Sequence, residues 1–308
     1  MRLRLADSIR HILTQADGLL HISPERSEEF LSRLERSSIA PLAFSFYHSI
    51  VLAVEDDELE QASALFQEMM NLPPHTGGPI ISELANPNQD AIASRYARFL
   101  NNDPTIEFEI FPPSHRAAEY CRKQIKDAFA LMDAGDPELA AEIRALLREI
   151  VLAAGTEDPK KFTFDGASAL MLWGAIIINA NRSDGELAMV QMLAHESTHN
   201  LIFGLSVDEP LVENSPEELF PSPLRVDQRP MEGIYHATFV TARMHRSIYH
   251  LVQSGVLSVE QNEKARKELE TNSRLFDKGI ETVLNHGKLT PLGRSLMQGA
   301  QAYMASVR

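Results

Sequence analysis

Two histidines four residues apart, with a glutamate directly after the first, constrain this chain more tightly than any other stretch. The residues are His195-Glu196-Ser197-Thr198-His199. Side chains at i and i+4 meet on one face of an α-helix, one turn apart, so the pattern implies a helix there. From that helix both imidazoles can grip a single metal ion, and Glu196 can reach a water or another ligand on it. The bland alternative is a surface helix that happens to carry two histidines. The surroundings favour the metal reading. Ala167–Asn179 (ASALMLWGAIIIN) is apolar and β-branched towards its end, which predicts a strand or strand pair. Ser183 and Glu186 then have capping-box spacing. A helix is expected from about Asp184 to Phe203, with Gly204 as a left-handed C-cap and Val190, Leu193 and Ile202 as its packing residues.

The rest of the chain reads as mainly helical. Residues 1 to about 70 show helical patterns with little strand character. Ser23-Pro24-Glu25-Arg26 opens one helix, with Ser as N-cap and Pro at the first helical position. Glu55-Asp56-Asp57-Glu58 is expected to begin another, its acids facing the positive end of the dipole. Leu72–Pro79 is the densest cluster of breakers and predicts a long loop or a linker. It suggests a division into an N-terminal helical segment, 1–78, and an HExxH metal-binding catalytic domain, 79–308, with one continuous domain as the alternative. Asp90–Leu100 is expected to be helical and Thr105–Ile110 to be a short strand, followed by helices over Ser114–Met132 and Pro137–Ala154, the latter capped by Asp136. Ser206–Gln228, with several prolines, predicts an irregular connection with at most a short helix after Pro216. Two further helices are expected from Met231 to about Val252 and from Glu260 to about Asn285.

Composition narrows the function. Asp and Glu number 43 against 29 Lys and Arg, a formal charge of −14, which argues against a phosphate-backbone binder and so against nucleic-acid partners. The single cysteine, Cys121, cannot form an internal disulfide, and it reads as a quiet, partly buried thiol. No apolar run is long enough to span a bilayer, and the N-terminus breaks its apolar stretch with Asp7, Arg10 and His11, unlike a signal peptide. A cytoplasmic protein away from membranes is expected. Trp173 reads as core, and His245 and His250 as surface residues.

The third ligand decides what the histidine pair can do. A metzincin needs Gly and His three and six residues beyond the second histidine, where this chain has Ile202 and Leu205. A thermolysin-like site would take an acid from a later helix. Glu217 and Glu218 are suitably spaced, but they sit between Pro216 and Pro221, too short a segment for such a helix. His236 is the better candidate. It lies nearly two turns into the helix opened by Pro230, on a face that also carries Glu232, Phe239 or Val240, and Arg243. Gly233, one turn before His236, allows close approach of another backbone or a ligand.

HESTH followed by R-x-x-x-R-P-x-x-G-x-x-H (Arg225, Arg229, Pro230, Gly233 and His236) resembles the HExxH-motif domain family found beside ribosomally made peptide natural products. Members of that family are similar to non-haem iron, 2-oxoglutarate-dependent peptide β-hydroxylases. The resemblance is clearest from about Phe162 to Arg243, with Tyr235 standing where an aliphatic residue is expected. It implies an α+β, mainly helical fold with a zincin-like core, a small sheet packed on the HExxH helix. It further implies that His195, His199 and His236 hold Fe(II), and that the substrate is a precursor peptide. In that chemistry the far carboxylate of 2-oxoglutarate needs a cation, best an arginine. Arg243 follows His236 on the same face and leans back towards it, so it is the first choice, with Arg229 second. Either can instead pair with Glu232 or Glu196. Glu196 would orient a ligand or accept a hydrogen bond from the peptide.

Two rivals remain. In a zinc metallopeptidase the same residues hold Zn(II) and Glu196 takes the proton from its bound water. A non-catalytic peptide-binding protein would carry a degenerate site, against which the intact HExxH pattern speaks.

Overall fold

A computed structural model of the chain describes residues 1–16, 18–36, 38–75, 77–101, 108–158, 161–182, 184–222 and 227–307. In chain order the elements are α1 (Arg2–Gln15), α2 (Pro24–Arg36), β1 (Ser38–Ile39), α3 (Leu42–Glu55), α4 (Leu59–Met70), β2 (Pro74–His75), β3 (Ile80–Glu83), α5 (Ala91–Leu100) and β4 (Ile110–Phe111). There follow α6 (His115–Gly135), α7 (Pro137–Leu146), β5 (Glu149–Gly155), β6 (Gly166–Ala167), β7 (Ala175–Asn179) and α8 (Glu186–Leu205). The chain closes with β8 (Leu219–Phe220), β9 (Arg229–Pro230), α9 (Met231–Ser254), α10 (Val259–His286) and α11 (Pro291–Ser306). The fold is α+β and mainly helical. No described helix is long and apolar enough to cross a membrane.

The chain divides into two compact units, Met1–Ala118 with Arg144–Asn181, and Glu119–Ile143 with Arg182–Arg308. The breaker run Leu72–Pro79 falls inside the first of these. That unit is built on a mixed sheet of order β3-β5-β7-β6, in which β3, β5 and β7 run parallel, β6 is antiparallel to β7, and β4 is antiparallel to β5. Its core gathers Ile9, Leu34, Ile50, Phe66 and Met69 from the N-terminal helices with Val151 and Ile177 from the strands. Trp173, half-buried, meets Phe44 edge-on at 5.6 Å between ring centroids.

Several boundaries differ from the sequence reading for physical reasons. The helix expected over Pro137–Ala154 ends at Leu146, and Glu149–Gly155 is the central strand β5. A strand buried on both faces shows a continuous apolar run, which periodicity alone does not separate from a buried helix. In Ala167–Asn179 the two strand pieces are split by a 3-10 turn at Leu170–Leu172, closed by Gly174 at φ +95°. Glu55 ends α3, and Glu58 stands immediately before α4, so the four acids are a junction rather than a helix start. Of the strand expected over Thr105–Ile110, residues 105–107 lie outside the described residues, and β4 begins at Ile110.

The second unit is helical. Gly185, at φ +100°, stands before α8, and Ser183 of the expected capping box lies outside the described residues. Gly204 remains inside the helix, which ends at Leu205 when Ser206 N–H donates to Ile202 O in an ordinary right-handed turn. Pro230 precedes α9, and Gly255 ends it in the left-handed conformation. A capping box of Ser258 and Gln261 starts α10. The sequence reading missed α11, although Thr290 followed by Pro291 is a plain start signal; the Thr290 hydroxyl accepts from Gly293 N at 3.0 Å. Polar bonds tie these helices in register. Asn272 of α10 donates to Gln191 of α8 at 3.0 Å. Tyr235 of α9, fully buried, donates to Gly293 O of α11 at 2.7 Å, and His245 Nδ1 lies 2.8 Å from the Tyr303 hydroxyl. His245 is thus a core residue and not a surface one; His250 is partly buried, its Nδ1 3.2 Å from Asp136. Cys121 is fully buried, and burial pushes its thiol up to about 11, which removes it from thiolate chemistry.

At Gly293 a Cβ would stand 2.0 Å from Leu211 O, so the α11 entrance depends on glycine. Tyr235→Phe, which only leaves Gly293 O without its donor, is expected to cost about 1–3 kcal/mol. Gly293→Ala should cost more, because backbone must move. Urea denaturation compares the two, and equal stability of all three proteins would refute the assignment.

Candidate metal centre

Helices α8 and α9 bring the three predicted histidines into one row. His195 and His199 point from the same face of α8, with Nε2 atoms 3.3 Å apart and ring centroids 5.0 Å apart. The His236 ring, from α9, stands 5.7 Å from the His199 ring. Phe203, one turn beyond His199, stacks on that ring at 6.3 Å and tilts against His236 at 6.0 Å, so an apolar wall flanks the row. Val190, Leu193 and Ile202 are fully buried on α8 and anchor the helix that carries the pair.

Glu196 is almost wholly buried, at 4% exposure, and its Oε1 lies 3.9 Å from His195 Nε2. On its other side His195 Nδ1 meets the sulfur of Met244 at 3.3 Å. Met244 was missed in the sequence reading, which followed the His236 face to Arg243. Met244 stands about 80° round the helix from His236, on the flank that meets His195, so the His236 face alone did not lead to it.

Burial, reinforced by His195 and His236, holds His199 well below its ordinary value, and burial alone pushes His236 down to about 4. Both rings are therefore neutral near pH 7, the form that binds metals. A metal–imidazole bond of about 2.0–2.1 Å puts adjacent ligand nitrogens about 3.0–3.4 Å apart and their ring centres about 4.5–5.5 Å apart. The His195–His199 pair meets both spacings, and His199–His236 lies just beyond the second. As the side chains stand, no three His, Cys, Asp or Glu groups among the described residues converge into a complete ligand set. The chemistry of the donors fits a divalent transition metal, with the two α8 histidines in ligand spacing and His236 beside them.

The other candidates are placed elsewhere. Glu217 and Glu218 are exposed; Glu217 accepts from Ser215, and Glu218 is held by Asn214 and Lys288 at 3.1 and 3.3 Å. Arg243 is mostly buried, and its Nη2 donates to Glu142 of α7, not to Glu232 or Glu196. Its Nε is buried without a hydrogen-bond partner among the described residues. Arg229, in β9, lies 3.5 Å from Asp227, and its Cβ is 3.7 Å from where a side chain on Gly233 would begin. Arg225, the first arginine of the RPxxGxxH element, lies outside the described residues. Neither the protein-family models nor the curated proteins compared with the chain give a match.

The depressed His236 value carries a stability consequence. An unfolded histidine takes up its proton near pH 6.5, whereas the folded ring resists until about pH 4. The unfolded state therefore binds more protons in that window, and metal-free protein is expected to lose stability as the pH falls through it. Chemical denaturation between pH 7 and 4 should show a shallower loss in His236→Gln. Parallel curves for the two proteins would contradict a neutral, buried ring.

Proposed function

We propose that the chain is a non-haem Fe(II)- and 2-oxoglutarate-dependent oxygenase that β-hydroxylates a residue of a ribosomally made precursor peptide. One observation carries this reading: the third histidine, His236, stands beside the HExxH pair, while the acids expected of a thermolysin-like zinc site are exposed and engaged elsewhere. An all-imidazole set is neutral, leaves a bound Fe(II) its full charge, and leaves positions for a keto acid and dioxygen. The resemblance of HESTH and the RPxxGxxH element to the peptide hydroxylases supplies the substrate class. A zincin-like core belongs to the same proposal, supported by the chain order of strand β7 followed by the HExxH helix α8. So does a cytoplasmic setting, in keeping with the single buried thiol.

His195, His199 and His236 would hold the iron, with Phe203 excluding water from one side of the rings. When bound, Fe(II) and 2-oxoglutarate supply the oxidation: dioxygen places one atom on the peptide carbon and one in succinate, and carbon dioxide leaves. Arg243 is the first choice to anchor the distal carboxylate, which would exchange with Glu142 for the guanidinium; Arg229 is the second. Glu196, buried beside His195, orients a ligand or accepts a hydrogen bond from the peptide.

A zinc metallopeptidase remains the alternative, favoured by the placement of the Glu196 carboxylate near the metal-facing side of His195. There Glu196 would take the proton of the attacking water.

Protein reconstituted anaerobically with Fe(II) and then exposed to air with 2-oxoglutarate should release succinate, and His236→Ala should abolish the release. Absence of succinate, with tightly held zinc and a peptide cleavage lost in Glu196→Gln, would replace the proposal by the peptidase. Within the oxygenase, Arg243→Met is expected to raise the KM for 2-oxoglutarate by about tenfold or more, the effect of losing one charge-assisted pair. If only Arg229→Met does so in the same steady-state assay, the anchor is Arg229.

A further inference from the structure

The surroundings of His195 point to a support for the metal centre that the ligand motif does not contain. A neutral imidazole carries one N–H, on Nδ1 or on Nε2. His195 Nδ1 faces the Met244 sulfur at 3.3 Å, and a thioether has no proton to give, so this contact is a hydrogen bond only when Nδ1 is the donor. The proton on Nδ1 leaves Nε2 bare, on the side that faces His199 Nε2 and Glu196. We infer that Met244 is a positioning residue: its sulfur selects the tautomer and ring orientation of His195 that present Nε2 to a metal. The inference rests on the metal centre proposed above and deepens it.

Two features make this more than a packing contact. Met244 lies on α9, the helix that also bears His236, so one rigid element both contributes a ligand and orients another. Its side chain packs against the apolar cluster of Ile234, Tyr235 and Val240, which fixes the sulfur rather than leaving it to wander. The usual partner of a ligating histidine is a carboxylate, a carbonyl or a water. A thioether is a weaker and uncharged acceptor. It holds the ring without adding negative charge, so His195 is a less basic ligand than one bonded to a carboxylate.

The test combines two readouts other than turnover. In metal-free protein labelled with nitrogen-15 at histidine, long-range NMR correlations are expected to show His195 protonated at Nδ1. In Met244→Leu, which keeps the volume and loses the acceptor, the population should shift towards the Nε2–H form. Zn(II) affinity, measured by chelator competition, should fall about tenfold, at the lower end of the effect of losing such a partner. Met244→Gln, whose amide oxygen can accept the same proton, should restore both. Wild-type His195 protonated at Nε2, unchanged tautomer and affinity in Met244→Leu, or a loss of affinity that Gln does not rescue and that tracks a lower Tm would each overturn the inference. Wild-type protein that shows the Nδ1–H form yet binds no Zn(II) or Fe(II) would instead remove the metal centre, and this role with it, so the two failures are distinguishable.

Discussion

Three imidazoles from two helices can share one place only if α9 keeps its register against α8, and the interactions that set this register lie away from the rings. On α9, Tyr235 sits one residue before His236 and points the other way, into the core, where its hydroxyl is bound by Gly293 O. His245 follows Met244 and reaches Tyr303 of α11 in the same manner. On α8, Gln191 lies one turn before His195 and is held by Asn272 of α10. His236, Met244 and His195 thus each have a nearby residue on the same helix that is clamped by a hydrogen bond to another helix. Such bonds are modest individually, but a buried polar group without its partner is costly, so they discriminate strongly against a slipped register.

The charges follow a similar logic. Near neutral pH His199 and His236 carry no charge of their own, because burial disfavours their protonation. Arg243, seven residues beyond His236, is compensated by Glu142, whereas Asp136 meets Arg246 and His250. Removing Glu142 would leave a buried guanidinium uncompensated, and that penalty exceeds what the pair itself contributes. An incoming dicarboxylate can take Glu142's place without that penalty, since it replaces one carboxylate by another. In the proposed reaction an arginine already paired within the protein would thus be able to act as an anchor, and its Nε, without a partner among the described residues, gives the fork a donor to spare.

Much of the histidine row was legible because it depends on local geometry. HESTH fixes two rings on one helical face whatever the rest of the fold, and RPxxGxxH places a third on a helix whose start is marked by Pro230. Strand β5 was misread because its apolar run Ile150–Ala154 lacks the alternation of a half-buried strand, and burial on both faces is a tertiary fact. Gly204 has the right type for a left-handed cap but lies one residue before the last helical residue, where nothing demands positive φ. The Glu142–Arg243 pair joins residues far apart in sequence, and no local pattern announces it. His245 looked like a surface residue for the same reason: its partner, Tyr303, belongs to α11, which the sequence reading did not find.

Helix α9 concentrates these long-range facts. In 24 residues it presents His236 and Met244 to the ring row, Arg243 to Glu142, and Tyr235 and His245 to α11. At 100° per residue, Arg243 lies about 20° to one side of His236's direction and Met244 about 80° to the other, so spacing gives the face of His236 to Arg243. Sequence spacing alone would therefore give the contact to Arg243 and leave Met244 aside. The structure gives the contact with His195 to the sulfur and turns the guanidinium to α7, an arrangement that suits their chemistry. A thioether can accept one N–H within an apolar cluster at little desolvation cost, whereas a buried guanidinium is costly unless its charge is paired or its donors are satisfied. Placing the neutral group against His195 and the charged group beyond it keeps fixed positive charge off the row, which would otherwise oppose a metal cation at the proposed centre.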